Sequence, residues 1–163
     1  MTDRSPEKIV LVEYLFLNLD TCERCIGTDK ELEEVLAALS PALELAGYTV
    51  QYQKIEMATA ELAKQYRFLS SPTIRVNGLD IGGEVVENSC GCCSDISGTD
   101  VDCRIWEVSG QAYEVPPKET LADSVLRAVF ARQQSGCDRA AYELPRNLQA
   151  FYEGKESQCG CCS

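Results

Sequence analysis

Apolar positions crowd together first over Ile9–Leu17, where Ile, Val, Leu, Tyr and Phe follow one another with little alternation. That pattern predicts a central strand buried on both faces. Asn18–Cys25 is a polar loop, and Thr28-Asp29-Lys30-Glu31 then reads as a capping box. Leu32, Val35, Leu36, Leu39 and Leu43 recur at helical spacing; Pro41 is expected to kink or break that helix and Gly47 to end it. Tyr48–Ile55 alternates like a second strand, Thr59–Tyr66 suits a short helix, and Thr73–Val76 suits a third strand. Asn77-Gly78 predicts a tight turn with Leu79–Ile81 returning. A further hairpin is expected from Arg104–Val108 and Gln111–Val115 around Ser109-Gly110. Pro116-Pro117 stops it, and Leu121, Val125, Leu126, Val129 and Phe130 mark an amphipathic helix from near Thr120.

Two segments break this regularity. Gly82–Asp102 is Gly, Ser, Asp and cysteine with little apolar periodicity, and reads as an inserted loop. Beyond Arg132 the chain turns polar, with a short helix expected around Leu148–Tyr152 and a mobile tail over Glu153–Ser163. The organisation expected is one domain over residues 1–132 with a Cys-rich insertion at 82–103, then an extension, 133–163, that ends in CGCCS.

Composition narrows the chemistry. The net charge is −11 and no basic cluster interrupts it, which argues against nucleic acid and against an anionic membrane surface as partners. The chain has no histidine, so Ser-His and Cys-His hydrolases are ruled out. Ile9–Leu19 fails as a signal peptide, because Glu13 interrupts it and no small-x-small site follows, and it is too short to span a bilayer. A cytoplasmic location is expected. In a reducing compartment, ten cysteines point to metal binding or redox chemistry more than to a disulfide framework.

The cysteines cluster. Cys22-Glu23-Arg24-Cys25 is a C-x-x-C between a strand and a helix, and Ser71-Pro72-Thr73 precedes the third strand. Strand, C-x-x-C, helix and Ser-Pro-Thr before a strand, in that order, resemble the thioredoxin/glutaredoxin fold over roughly residues 9–132. The stretch DCRIWEVSGQAYEVPPKETL is similar to a prokaryotic family of cysteine-rich thioredoxin-like domains. The resemblance implies a three-layer α/β fold, a central mixed sheet with helices on both faces. It also implies that Cys22 attacks, Cys25 resolves, and Pro72 is cis and packs against them, with backbone beside it open to an extended substrate. Thr-Cys-Glu-Arg-Cys departs from the Trp-Cys-Gly-Pro-Cys of thioredoxins, and Gly27 with the Thr28 capping box also permits a helix that starts after Cys25.

CGCCS occurs twice, at Cys90–Ser94 and at Cys159–Ser163. Adjacent cysteines have Cα atoms ~3.8 Å apart, below the usual disulfide range, so Cys92–Cys93 and Cys161–Cys162 bridges would be strained. Cys90–Cys92 and Cys159–Cys161 bridges are easier across a glycine. Three close thiolates also suit a soft ion. Zinc wants four ligands, so Cys103 or the tail would have to help, whereas As(III) or Hg(II) needs fewer. A structural zinc loop of Cys90, Cys92 or Cys93, and Cys103 fits the same spacing. Cys137 is isolated and has no assigned role.

Two functions follow. One is a thiol–disulfide oxidoreductase that uses Cys22, Cys25 and Pro72 on a protein or small-molecule thiol or disulfide, aided by accessory CGCC thiols. The other is a binding or delivery protein for arsenic, mercury or zinc through Cys90, Cys92, Cys93, Cys103, Cys159, Cys161 and Cys162. On either reading the terminal CGCCS is a tethered carrier.

Overall fold

The computed structural model describes residues 8–20, 22–131 and 142–159. The first apolar run forms strand β1 (Lys8–Phe16) and leads through a short loop into helix α1 (Glu23–Leu45). Strand β2 (Tyr48–Glu56), helix α2 (Ala60–Gln65), strand β3 (Thr73–Val76) and the short strand β4 (Leu79–Asp80) complete the first half. The main sheet has the order β2-β1-β3-β4. β2 runs parallel to β1 across the α1 crossover, while β3 is antiparallel to β1 and β4 to β3. This is a mixed sheet with helices packed on it, the α/β architecture expected.

Val10, Val12, Tyr14 and Phe16 alternate along one face of β1 and are buried. On the opposite face Leu11 and Glu13 are only half-buried, and burial is full only at Leu15 and Leu17. Glu13 shows why the strand is not buried on both faces throughout: a carboxylate there keeps access to water.

Two expectations about α1 change. The helix begins before Thr28, with Cys22 at its N-cap, so the C-x-x-C forms its first turn and Thr28 sits inside it, buried. The helix also runs through Pro41 to Leu45. Pro41 stands close to the C-terminal end, where one lost N–H costs few bonds, and the Ser40 hydroxyl donates to the Leu36 carbonyl at 2.6 Å.

The inserted segment is ordered structure rather than a loop. It contains strand β5 (Val86–Ser89) and helix α3 (Gly91–Ser97). β5 pairs antiparallel with β6 (Asp102–Val108), and β6 with β7 (Gln111–Tyr113), as a second, three-stranded sheet. The sequence hid this because α3 has seven residues, too few to display a helical apolar period. Helix α4 (Lys118–Phe130) packs on α1 with Leu121 and Val125 inward.

The extension holds helix α5 (Arg146–Cys159), longer than the short helix expected. Residues 153–159 are thus the last turns of a helix and not a mobile tail. Leu148, Phe151 and Tyr152 dock it to the body, and the Tyr152 hydroxyl donates to the Met57 carbonyl at 2.6 Å. The other face of α5 meets α3: Thr99 Oγ1 donates to the Ala150 carbonyl, and Gly154 lies against the Ser97 carbonyl. These contacts seat α5 on the C-terminal end of α3 and the turn that follows it.

Candidate thiol and metal centre

Two helix N-termini carry the cysteines. Cys22 is the N-cap of α1 and Cys25 lies three residues on; Cys90 is the N-cap of α3 and Cys93 lies three residues on. The first CGCC is therefore itself a C-x-x-C, Cys90-Gly91-Cys92-Cys93, in the same local setting as the first. The sequence held this signal, which was obscured by reading the string as a block of adjacent thiols. Neither N-cap uses a side-chain hydrogen bond. Free N–H groups at both termini favour the thiolate over the thiol.

The fold turns these two motifs on each other. The Sγ atoms of Cys22, Cys90 and Cys93 all lie within 4.8 Å of one another. Cys103, on β6, places its Sγ 3.5 Å from that of Cys93. All four residues are buried, Cys22, Cys93 and Cys103 at 0% exposure. Cys92, next in sequence to Cys93, is half-buried and stands outside the trio. Adjacent residues on a helix point about 100° apart, so Cys92 and Cys93 cannot both enter one site. Cys159 closes α5, while Cys137, Cys161 and Cys162 lie outside the described residues.

The other half of the first motif faces the sheet. The Ser71–Pro72 peptide is cis, as the resemblance implies. The Leu17 N–H donates to Ser71 Oγ at 3.1 Å, which leaves the Ser71 hydroxyl proton free for Cys25 Sγ, 3.4 Å away. Tyr14 donates its hydroxyl to the Cys25 carbonyl at 2.6 Å, and burial holds the Tyr14 phenol well above its usual range. The backbone beside Pro72 is not open to an extended partner. The Arg104 N–H donates to the Ser71 carbonyl at 2.7 Å, so the chain's own β6 lies there and brings Cys103 with it.

Proton sharing within the cluster is uneven. Hydrogen bonds from Cys103, Cys22 and Cys93 hold the Cys90 thiol well below its ordinary value. Cys25 is also held down, by a hydrogen bond from Cys22 and then by Ser71 against the cost of burial. The donors move the other way. Cys22 is raised through its bonds to Cys25 and Cys90, Cys93 through its bond to Cys103, and Cys103 through its bond to Cys90.

Arg24, inside the first motif, belongs to the site as well. It is 6% exposed, and its guanidinium donates to the carbonyls of Cys103 (2.9 Å), Arg104 (3.3 Å) and Ser89 (3.3 Å) and to the Glu114 carboxylate (2.9 Å). The sequence suggests only a charge near Cys22, because three of the four acceptors are backbone carbonyls far along the chain.

The fold and site together define an α/β protein built around a buried cluster of free thiols at two facing helix N-termini. The chain belongs to the family described as "Domain of unknown function (DUF2703)", which it matches over residues 10–125. That span takes in Cys22, Cys25, Cys90, Cys92, Cys93 and Cys103 and stops before α5. The chain is also similar to an "Uncharacterized protein" of Archaeoglobus fulgidus, 29% identical over 112 residues, which cover 64% of this chain and 76% of the relative. No solved structure matches the chain. No helix among the described residues is long and apolar enough to cross a membrane.

Proposed function

We propose that the protein binds a soft, sulfur-seeking metal or metalloid ion through a shared thiolate shell of Cys22, Cys90 and Cys93, with Cys103 as fourth ligand. The observation that carries the reading is the meeting of three Sγ atoms from two different C-x-x-C motifs within 4.8 Å. A zinc–sulfur bond of ~2.3 Å in a tetrahedron sets neighbouring sulfurs ~3.8 Å apart. The trio, mutually within 4.8 Å, can close to that spacing around an ion; Cys103 touches Cys93 at 3.5 Å but lies outside the mutual group and must move in to become the fourth ligand. The thiophilic ions expected, Zn(II), Hg(II) and As(III), differ in the ligands they need, and the trio satisfies a three-coordinate ion without Cys103. A nucleophile that must reach a protein disulfide needs exposure, whereas Cys22 and Cys25 are at 0% and β6 fills the backbone edge beside Pro72.

The test is a cadmium titration of the full reduced chain under anaerobic conditions, followed by sulfur-to-cadmium charge-transfer absorption. The band is expected to survive replacement of Cys159, Cys161 and Cys162 by Ser and to collapse in Cys22→Ser. A band indifferent to Cys22 and lost with the terminal cysteines overturns the assignment.

A second reading, thiol–disulfide exchange, is favoured by one observation: Cys22 stands between two potential sulfur partners, Cys25 three residues on in its own C-x-x-C and Cys90, whose Sγ lies within 4.8 Å. If a disulfide substrate oxidises the first motif to Cys22–Cys25, the Cys90 thiolate can attack Cys22 Sγ. The Cys22–Cys90 bond forms, the Cys22–Cys25 bond breaks, and the electron pair leaves on Cys25. Ser71 Oγ, 3.4 Å from Cys25 Sγ, can donate to the thiolate that leaves in that step. A Cys25→Ser variant separates the readings: it leaves cadmium binding intact and abolishes exchange.

A further inference from the structure

We propose that Arg24 is the positioning residue of the thiol centre, a buried bolt that fixes the C-x-x-C turn of α1 to the second sheet and so brings Cys22 to Cys90 and Cys93. The inference rests on the shared thiolate shell proposed above. It takes its evidence from contacts that do not depend on any ion.

The thiols reach the centre on separate pieces of chain. Cys22 comes on α1, Cys90 and Cys93 on α3 after β5, and Cys103 on β6. One guanidinium touches each of those pieces. Arg24 Nη1 donates to Cys103 and Arg104 on β6; Nη2 donates to Ser89, the residue before Cys90, and to Glu114, just past β7. Four acceptors, three on strands β5 and β6 and one just past β7, converge on a side chain that sits two residues after Cys22 and one before Cys25. A planar fork with fixed donors suits this task, and a lysine ammonium on a flexible stem cannot hold four such acceptors at once.

A second contact, independent of the charge, points to the same seam. Gly27 lies one helical turn beyond Arg24, on the same face of α1, and a Cβ there would stand 2.8 Å from Val115 Cγ2. The helix therefore approaches the segment after β7 as closely as a glycine permits, directly beside the Arg24–Glu114 pair. Arg24 and Gly27 together make this face of α1 a docking face for the insertion, which explains why the helix extends past the Thr28 capping box to include the C-x-x-C.

Pairing explains why a buried cation is tolerated here. Removing its partners would leave an uncompensated charge, and removing the charge would leave three carbonyls short of donors. The carboxylate of Glu114 is 65% exposed, so its share of the pairing is screened and the carbonyls carry the geometry.

The experiment has a metal-free arm and a cadmium arm, both on the full reduced chain. In the metal-free arm, alkylation of each cysteine is followed by peptide mass mapping in wild type, Arg24→Lys, Arg24→Gln and Glu114→Gln. Far-UV circular dichroism and a urea midpoint report whether each variant folds. The Gln and Lys variants at position 24 are expected to raise the alkylation rates of Cys22 and Cys103 at least about tenfold, as α1 and β6 part. Glu114→Gln keeps the three carbonyl bonds and is expected to raise those rates only a few-fold. In the cadmium arm, Arg24→Gln should weaken binding about 10–100-fold, the usual effect of removing a partner that orients ligands. It should also leave Cys22 open to alkylation while Cys90 and Cys93 stay protected. Wild-type rates and wild-type protection in a folded Arg24→Gln overturn the proposal. Should both position-24 variants unfold, Gly27→Ala pushes the same seam apart against Val115, and unchanged Cys22 and Cys103 rates in a folded Gly27→Ala overturn the proposal instead. If wild type binds no cadmium, the metal reading fails alone, and the metal-free arm still decides the role of Arg24.

Discussion

Gly154→Ala tests whether α5 is seated on the helix that carries the first CGCC. Glycine inside a helix is less favourable than alanine, so a free or solvent-facing α5 would gain about 0.5–1 kcal/mol from the change. The structure reverses the sign. A Cβ at residue 154 would stand 2.3 Å from the Ser97 carbonyl oxygen, with the Ser97 carbonyl carbon at 3.1 Å and its Cβ at 3.2 Å. That is about an ångström inside ordinary contact, and the obstacle is backbone at the end of α3, which cannot rotate aside. Overpacking of this kind costs about 1–3 kcal/mol. The ceiling is set by what α5 loses on lifting away: Leu148, Phe151 and Tyr152 are each less than a tenth exposed, and their burial contributes about 1.5–3 kcal/mol apiece. The net expectation is destabilisation of about 1–2 kcal/mol, a fall in Tm of about 2–8 °C for a chain of this size. Urea and thermal denaturation followed by circular dichroism read it directly. A variant as stable as wild type, or more stable, would refute the seating of α5 on the end of α3.

Three further outcomes follow from the thiol geometry. Cys22→Ser should weaken cadmium binding by more than about 100-fold, beyond the usual cost of losing an outer partner, while Cys25→Ser changes it little; a competition titration with a chromophoric chelator measures both. The Cys22, Cys93 and Cys103 thiols are pushed above their ordinary range by neighbouring sulfurs and by burial, so an entering ion must displace their protons. Affinity should therefore rise with pH across the neutral range and each ion should release protons to an indicator dye; a pH-independent affinity would count against thiolate ligation. Replacing Cys159, Cys161 and Cys162 with Ser should slow metal exchange with the chelator several-fold at unchanged affinity, since α5, which packs on α3, ends at Cys159. Unchanged exchange with reduced capacity would make the terminal cluster an added site and not a carrier.

The main sheet was legible in the sequence because its strands advertise themselves. Ile9–Leu17 is apolar enough to mark a strand with one face, Val10, Val12, Tyr14 and Phe16, in the core, and Asn77-Gly78 fixes the β3–β4 turn, with positive φ at both residues. The C-x-x-C and Ser71-Pro72 were legible as a pair for the same reason: their order along the chain is tied to the strands they join. The centre itself was not. Cys22 and Cys90 stand far apart in sequence, and what joins them is side-chain-to-backbone bonding from Arg24 to Ser89 and Cys103, which leaves no residue signature at the acceptor end. The second C-x-x-C was visible as spacing but was masked by Cys92, which the helix turns out of the trio. The length of α5 was missed because its apolar residues cluster at Leu148, Phe151 and Tyr152 and its last turns are polar, held by the helix they continue.

The most direct test of the central claim is mass-mapped alkylation of the cadmium-loaded chain, with Cys92 as the internal control. The account predicts that loading protects Cys22 together with Cys90 and Cys93, from two motifs far apart in sequence, and leaves the half-buried Cys92 open to the reagent. Protection confined to the residues of one CGCC, Cys92 among them, with Cys22 labelled as fast as in the metal-free chain, would contradict it.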